Sequence, residues 1–320
     1  MRIAIPLTVL ATAFACSLAT APANARARVF VASYGNDANP CTFGSPCKTF
    51  QVAVNAVDAG GEVTAIDSAG FGPINITKAV TITSPDGIEA GVVPAAGADA
   101  IDINAAPSDA VVLRGLTLNG AGVASNGIVF NSGARLTVTG CVLQNFVGAT
   151  ATTGNGILMQ PTAGGMTFTI TNTKALNNQQ AGIFYQPRIG SSAATGIIDH
   201  VEVSNNSQFG IGIDTVDGGT TNIAISNGIA FSDMTGISLF NGPNGLYVSI
   251  DNTTITANGY GIAANATAKV LLRRSMVTEN NTGLSNGTSP NSIYSYGDNS
   301  INDNNSDFGV SPPPLPVALQ

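Results

Sequence analysis

The chain has one histidine, His200, and it directly follows an acid in Ile198-Asp199-His200. A carboxylate beside an imidazole can move protons, provided a substrate lies within hydrogen-bond reach of the pair. Arg188, in Gln186-Pro187-Arg188, is the nearest arginine that could join them. Asp214 and Asp217 flank one segment, and Glu202 and Asp233 lie close by in the chain. Calcium would need several such carboxylate oxygens to converge, and nothing in the spacing requires it, so we expect solvated loop acids and no metal or cofactor. Three thiols follow the first 25 residues. Cys41 and Cys47 stand six apart in a Pro/Gly-rich loop and suit a small disulfide in an oxidising compartment. Cys141 stands alone, and we read it as a buried thiol acting as a small apolar side chain.

What positions these residues is an internal repeat. A Gly-Ile or Gly-Leu pair recurs at Gly127, Gly156, Gly182, Gly210, Gly236, Gly261 and Gly283, at intervals of 22–29 residues. A period of this length marks stacked structural units. The units are rich in β-branched residues, Gly and Asn, and they lack both a helical repeat pattern and a leucine-rich frame. A coil of short strands joined by turns remains.

A second register runs inside each unit. Leu113, Val138, Ile170, Ile198, Ile225, Ile250 and Leu272 form one column, and five residues later stand Leu118, Leu143, Ala175, Val203, Ala230, Ile255 and Val277. Equivalent apolar positions stacked about 4.8 Å apart would make a continuous interior. Eight residues after the first column come Asn178, Asn206, Asp233, Asn258 and Asn280. This is an amide ladder at a turn, where Asn tolerates left-handed backbone and stacked amides bond along the axis. The next Gly would let the chain bend into the following strand.

The register also bears on the candidates. Asp199 shares a column with Thr139, Thr171, Ser226, Asp251 and Arg273, and His200 with Gly140, Asn172, Asn227, Asn252 and Arg274. Both are polar positions at an exposed corner, so we assign no catalytic residue and keep Asp199, His200, Arg188 and Asp214 as the candidates. On the strand after each Gly-Ile, alternation sends Leu158 and Phe184 outward, followed by Gln160, Gln186 and Asp214. That patch would offer an aromatic face and amides, a surface suited to a sugar, and we take these five as the expected substrate-binding residues.

Composition narrows the classes. Only 10% of the 320 residues are charged, the formal net charge is −7, and there are 37 Gly and no Trp. Twelve Lys and Arg spread over the chain cannot build the basic surface that nucleic acid needs. The start reads as an export signal, residues 1–25: Arg2, an apolar run, then Ala23-Asn24-Ala25 for cleavage there or after Ala27. Cys16 follows Ala13-Phe14-Ala15, a poor lipobox, so no lipid anchor is expected. Residues 26–48 form a segment with the disulfide loop, and residues 49–308 the solenoid. Within the solenoid, residues 49–58 carry Phe50, Val54 and Val57 on one helical face and would cap the open end. Residues 62–67, 74–77, 80–83, 100–104 and 111–118 read as strands of the first coils. Residues 309–320 read as a loose Pro-rich tail.

The head of the chain, Val29-Phe30-Val31-Ala32-Ser33 with Gly35-Asn36-Asp37, Asn39-Pro40-Cys41 and Pro46-Cys47-Lys48-Thr49-Phe50, resembles the start of bacterial secreted right-handed parallel β-helix proteins of the pectin-lyase-like superfold. The resemblance implies an all-β, single-stranded right-handed parallel β-helix, here of roughly nine coils, with three strands per coil and a groove along one strand stack. Active members of that superfold are mostly polysaccharide lyases and hydrolases, so it implies a polysaccharide or surface glycan as partner. Its pectate lyases carry Ile-Asp-His, which Ile198-Asp199-His200 matches, but their arginine motif has no match here. Its polygalacturonases use an Asp-Asp pair, Gly-His-Gly and Arg-Ile-Lys, and this chain has none of them. The leading expectation is a secreted monomer, extracellular or periplasmic, that recognises glycan along its groove. A lyase or hydrolase with a non-standard site is one alternative, and a structural or adhesive surface protein is another.

Overall fold

The computed structural model describes residues 26–317, apart from 149, 241, 243, 266–267, 287–291 and 310–312. The expected export signal, residues 1–25, lies outside the described residues, as do parts of the Pro-rich tail. One coil shows the plan. Arg135–Thr139 leads through a corner to Val142–Gln144, then through a longer turn to Asn155–Met159. The next strand, Gly164–Thr171, returns to pair in parallel with the first. Among the described residues, repetition builds three parallel sheets of twelve, ten and nine strands, numbered one to three in the order the chain meets them. The nine strands of sheet three, from Ile74–Ile76 to Thr282–Ser285, are eight turns apart end to end. The fold is a right-handed parallel β-helix, as the repeat and the resemblance predict.

Its interior is the pair of columns seen in the sequence. Val138 pairs with Leu113 and Ile170, and the register continues through Ile198, Ile225 and Ile250 to Leu272. Leu143 likewise aligns with Leu118 and Ala175 on sheet two. On sheet three Ile183, Ile211 and Ile237 stand in register and share one core with both columns. Each fully buried Leu or Ile contributes about 1.5–3 kcal/mol relative to exposure, so the continuous stack is the main source of stability.

Two kinds of turn join the sheets. The corner from sheet one to sheet two turns on one left-handed residue: Gly140, Asn172, His200, Asn227, Asn252 and Arg274 all have φ between 45° and 64°. From sheet two to sheet three the amide ladder forms as expected. Asn178 donates from N and Nδ2 to Asn206 Oδ1 at 3.1 and 3.0 Å, and Asn258 donates likewise to Asn280 Oδ1 at 2.9 and 3.0 Å. The left-handed residue at this turn is the one before the ladder position: Asn177, Asn205, Ser232, Ala257 and Glu279.

The recurring Gly has a different cause from the bend we expected. No positive φ occurs at Gly127, Gly156, Gly182, Gly210, Gly236, Gly261 or Gly283. The constraint is close approach between coils. A Cβ on Gly182 would stand 2.8 Å from the Gly210 carbonyl oxygen and 3.0 Å from Asn206 Nδ2.

A short helix closes the first coil. Thr49 caps the helix Phe50–Ala56 by accepting from the Val52 amide, and Phe50 and Val54 turn into the core. Phe50 meets Phe71 with ring centroids 4.9 Å apart. Arg28–Val31 pairs with Glu62–Ala65, and Cys41 and Cys47 form the expected disulfide. Residues 111–118, expected as one strand, are two, Ala110–Arg114 and Leu116–Asn119, broken at Gly115 with φ of 71°. In the tail expected to be loose, Leu315–Pro316 pairs with Ile293–Ser295. Cys141 is a buried free thiol whose burial pushes its pKa up to about 11, so it stays protonated.

Gly182→Ala should lower stability by about 1–3 kcal/mol, because a backbone carbonyl cannot step aside for the new methyl. Urea denaturation of the purified variant measures this, and an unchanged midpoint would contradict the tight coil spacing.

Candidate functional site

Asp199 and His200 lie at the corner between sheets one and two. His200 Nδ1 is 2.7 Å from Asp199 Oδ2. The other carboxylate oxygen is already occupied: Ser226 Oγ donates to it at 2.6 Å and Asn227 Nδ2 at 2.7 Å. The Ser226 hydrogen bond is the largest cause holding this carboxyl down to about 2. An acid so well satisfied is a poor proton carrier near neutrality. Arg188 lies at the far end of the strand Ser191–Asp199, where its Nη2 donates to Gln160 Oε1. The structure therefore separates Arg188 from the Asp-His pair by the length of that strand.

Gln160, Gln186 and Asp214 do share the outer face of sheet three, and there they belong to an external amide ladder. Asn104 Nδ2 donates to Asn75 Oδ1 at 3.2 Å, Asn131 to Asn104 at 3.1 Å and Gln160 Nε2 to Asn131 at 2.9 Å. Gln186 Nε2 reaches Asp214 Oδ2 at 3.3 Å. The sugar platform expected at Phe184 is not present. Phe184 is 4% exposed and Leu158 is 0% exposed. They form a separate apolar cluster with Val129 and Ala181, covered by Ala151 and by Phe209, whose ring centroid is 5.8 Å from that of Phe184. The long turn preceding sheet three supplies Ala151 and the strand Phe209–Asp214 supplies Phe209, cover that strand alternation does not report.

The four acids weighed for calcium also part company. Glu202 pairs with Lys174 at 2.6 Å on sheet two, Asp214 is on sheet three, Asp217 is exposed in the turn after it, and Asp233 is buried inside the amide ladder rather than solvated. Among the described residues no group of three or more His, Cys, Asp or Glu is placed to hold a metal ion. One carboxyl pair escaped the sequence reading. Asp99 and Asp102 interact, and burial raises both pKa values, with the Asp99 charge a further cause for Asp102. Only the outward placement of Asp102 was legible, since Asp99 precedes the strand Ile101–Asn104.

The open groove lies on the outer face of sheet one. It has a volume of about 710 Å³. Thr195, Asn222, Tyr247 and Lys269 run across it in register, beside a second row of Ile197, Ala224, Ser249, Leu271 and Tyr294. Tyr247 is 43% exposed, and Lys269 Nζ sits 5.6 Å from its ring centroid. Among the described residues lining the groove, Lys269 is the one that is charged. Sequence reasoning placed the groove one sheet away, on the strand after Gly-Ile. The available signal was apolar and aromatic residues at outward positions of sheet one, where alternation calls for polar ones.

Fold and groove together define a parallel β-helix with an exposed aromatic face along one strand stack. No family model matches the chain, and no curated protein matches it. Among solved structures it is similar to a pectate lyase, at 18% identity and a TM-score of 0.46 over 86% of this chain and 70% of that one. It is similar too to the A-module of a mannuronan C-5 epimerase from Azotobacter vinelandii, at 13% identity and 0.43 over 84% and 92%. A rhamnogalacturonan lyase follows at 13% identity and 0.40 over 84% and 69%. Likenesses this distant assign no substrate and no residue role.

His200→Asn should leave stability within about 0.5 kcal/mol of the parent, because Asn fills the same left-handed corner in three other coils. Thermal unfolding measures it, and a larger loss would mean that His200 has a role beyond the corner.

Proposed function

We propose that the protein is exported and recognises an anionic polysaccharide along the outer face of sheet one. The observation that carries this reading is the groove itself. Tyr247 and Tyr294 offer aromatic surface, Ile197 and Leu271 an apolar floor, and Asn222, Thr195 and Ser249 hydrogen-bonding groups. A polymer laid along the axis meets a new strand about every 4.8 Å, so equivalent sugar units can be held by successive coils. The anionic class follows from charge. The chain carries a net −7, yet among the described residues the groove lining holds Lys269 and no carboxylate. Lys269 lies over the Tyr247 ring, a contact worth about 0.5–1 kcal/mol at an exposed site, which holds its positive charge beside the aromatic surface.

Retention of the processed protein in gels containing acidic or neutral polysaccharides tests the reading. Tyr247→Ala should weaken retention by about tenfold with an unchanged circular dichroism spectrum, a typical loss for a central aromatic contact. Lys269→Ala should flatten the salt dependence of binding to the acidic polymers alone. Retention of every polymer unaltered in both variants would remove the groove from the account. Reducing-end and unsaturated-product assays on the same samples report whether cleavage accompanies binding.

A further inference from the structure

The amide ladder contains one side chain that is not an amide. Each Asn in it directs its Nδ2 hydrogens to the same two recurring acceptors, and Asn280 adds the Thr278 carbonyl. One goes to Oδ1 of the next ladder residue. The other goes to the backbone carbonyl of the inward sheet-two residue one coil back: Asn206 to Ala175 at 3.2 Å, Asn258 to Ala230 at 3.1 Å and Asn280 to Ile255 at 3.0 Å. Asp233 occupies the same position. Its Oδ1 accepts from the Asn206 amide at 2.7 Å and Asn206 Nδ2 at 3.1 Å, and its own amide donates to Asn258 Oδ1 at 2.9 Å. Its Oδ2 stands where the others carry nitrogen, and it is buried without a hydrogen-bond partner. By register, the acceptors awaiting a hydrogen there are the Val203 carbonyl and Asn258 Oδ1.

A carboxylate at this place would set an uncompensated charge against two acceptors, in a site 4% exposed. We propose that Asp233 is held as a neutral carboxylic acid, its Oδ2 hydroxyl donating where every other ladder residue donates an amide hydrogen, and that loss of this proton loosens the coil. Among the described residues no cation faces it. On the strands packed against it, Glu202 points away into its pair with Lys174, Asp214 lies on the outer face of sheet three, and Tyr260 is exposed. Burial is the largest cause raising the Asp233 pKa from 3.8 to about 7, with the Asn206 hydrogen bonds pulling the other way.

The sign follows from linkage. The folded state keeps a proton that the unfolded chain releases above pH 3.8. Stability from the neutral acid is therefore complete below that pH, falls as pH rises, and is lost once pH passes about 7. The device favours the fold in mildly acidic surroundings and weakens it at and above neutrality. It stands apart from the glycan reading.

Two measurements on the full chain test it. Infrared spectra of the wild type in heavy water at about pH 5 should show the carbonyl band of a protonated acid that Asp233→Asn lacks, and the band should vanish as pH passes about 7. In urea unfolding, the folding constant of the wild type relative to Asp233→Asn should drop about tenfold per pH unit from about pH 4 to 7, then level off. Absence of the band from the folded wild type would overturn the proposal, even if the variant failed to fold. Parallel pH profiles of the two proteins would overturn it as well.

Discussion

Everything in this molecule depends on each coil repeating the register of the one before it. Parallel pairing aligns Val138 with Ile170, Ile170 with Ile198 and Ile198 with Ile225, so an aliphatic side chain always meets another of its kind. The same register stacks amide on amide at the turn and sets each recurring Gly against the carbonyl of the next. These constraints reinforce one another. The ladder can bond along the axis only while coils keep strand spacing, and that spacing excludes a Cβ at the Gly. A side chain that slipped by one position would leave the core and face solvent.

Repetition of environment is why so much of the fold was legible. A position that meets the same surroundings in seven coils leaves seven samples of one constraint in a single sequence. The columns through Ile170 and Ala175, the ladder through Asn206 and the corner through His200 were all read this way and are all present. The reasons attached to them fared less well. The Gly before each Ile answers to a close contact rather than to a left-handed bend, and composition cannot separate those two demands.

The site was less legible because it depends on what does not repeat. Outward residues of sheets one and three look alike in the sequence. Turn length decides which sheet stays open. The turn between Val142–Gln144 and Asn155–Met159 is long enough to fold Ala151 over Leu158 and Phe184, turning an expected platform into a satellite core. Sheet one leaves by a single left-handed corner, too short to cover anything, and Tyr247 and Ile197 remain exposed. Alternation tells which side of a strand a residue occupies, and it carries no information about what lies above that side.

The edge of sheet one adds a constraint on any ligand. The outward column beside the groove carries Asp199, Ser226, Asp251 and Arg273 in register. Its two acids are both engaged. Asp199 accepts from Ser226 and Asn227, while Asp251 pairs with Arg274, a hydrogen bond that holds its carboxyl below the usual range, and lies 3.7 Å from Arg273. Arg273 also lies 5.5 Å from the Tyr296 ring. Carboxylates tied to neighbours within the protein present little free negative charge to an approaching chain. Among the described residues the groove lining carries no carboxylate and the acids at its border are tied up within the protein, the charge arrangement that the proposed anionic polymer would need.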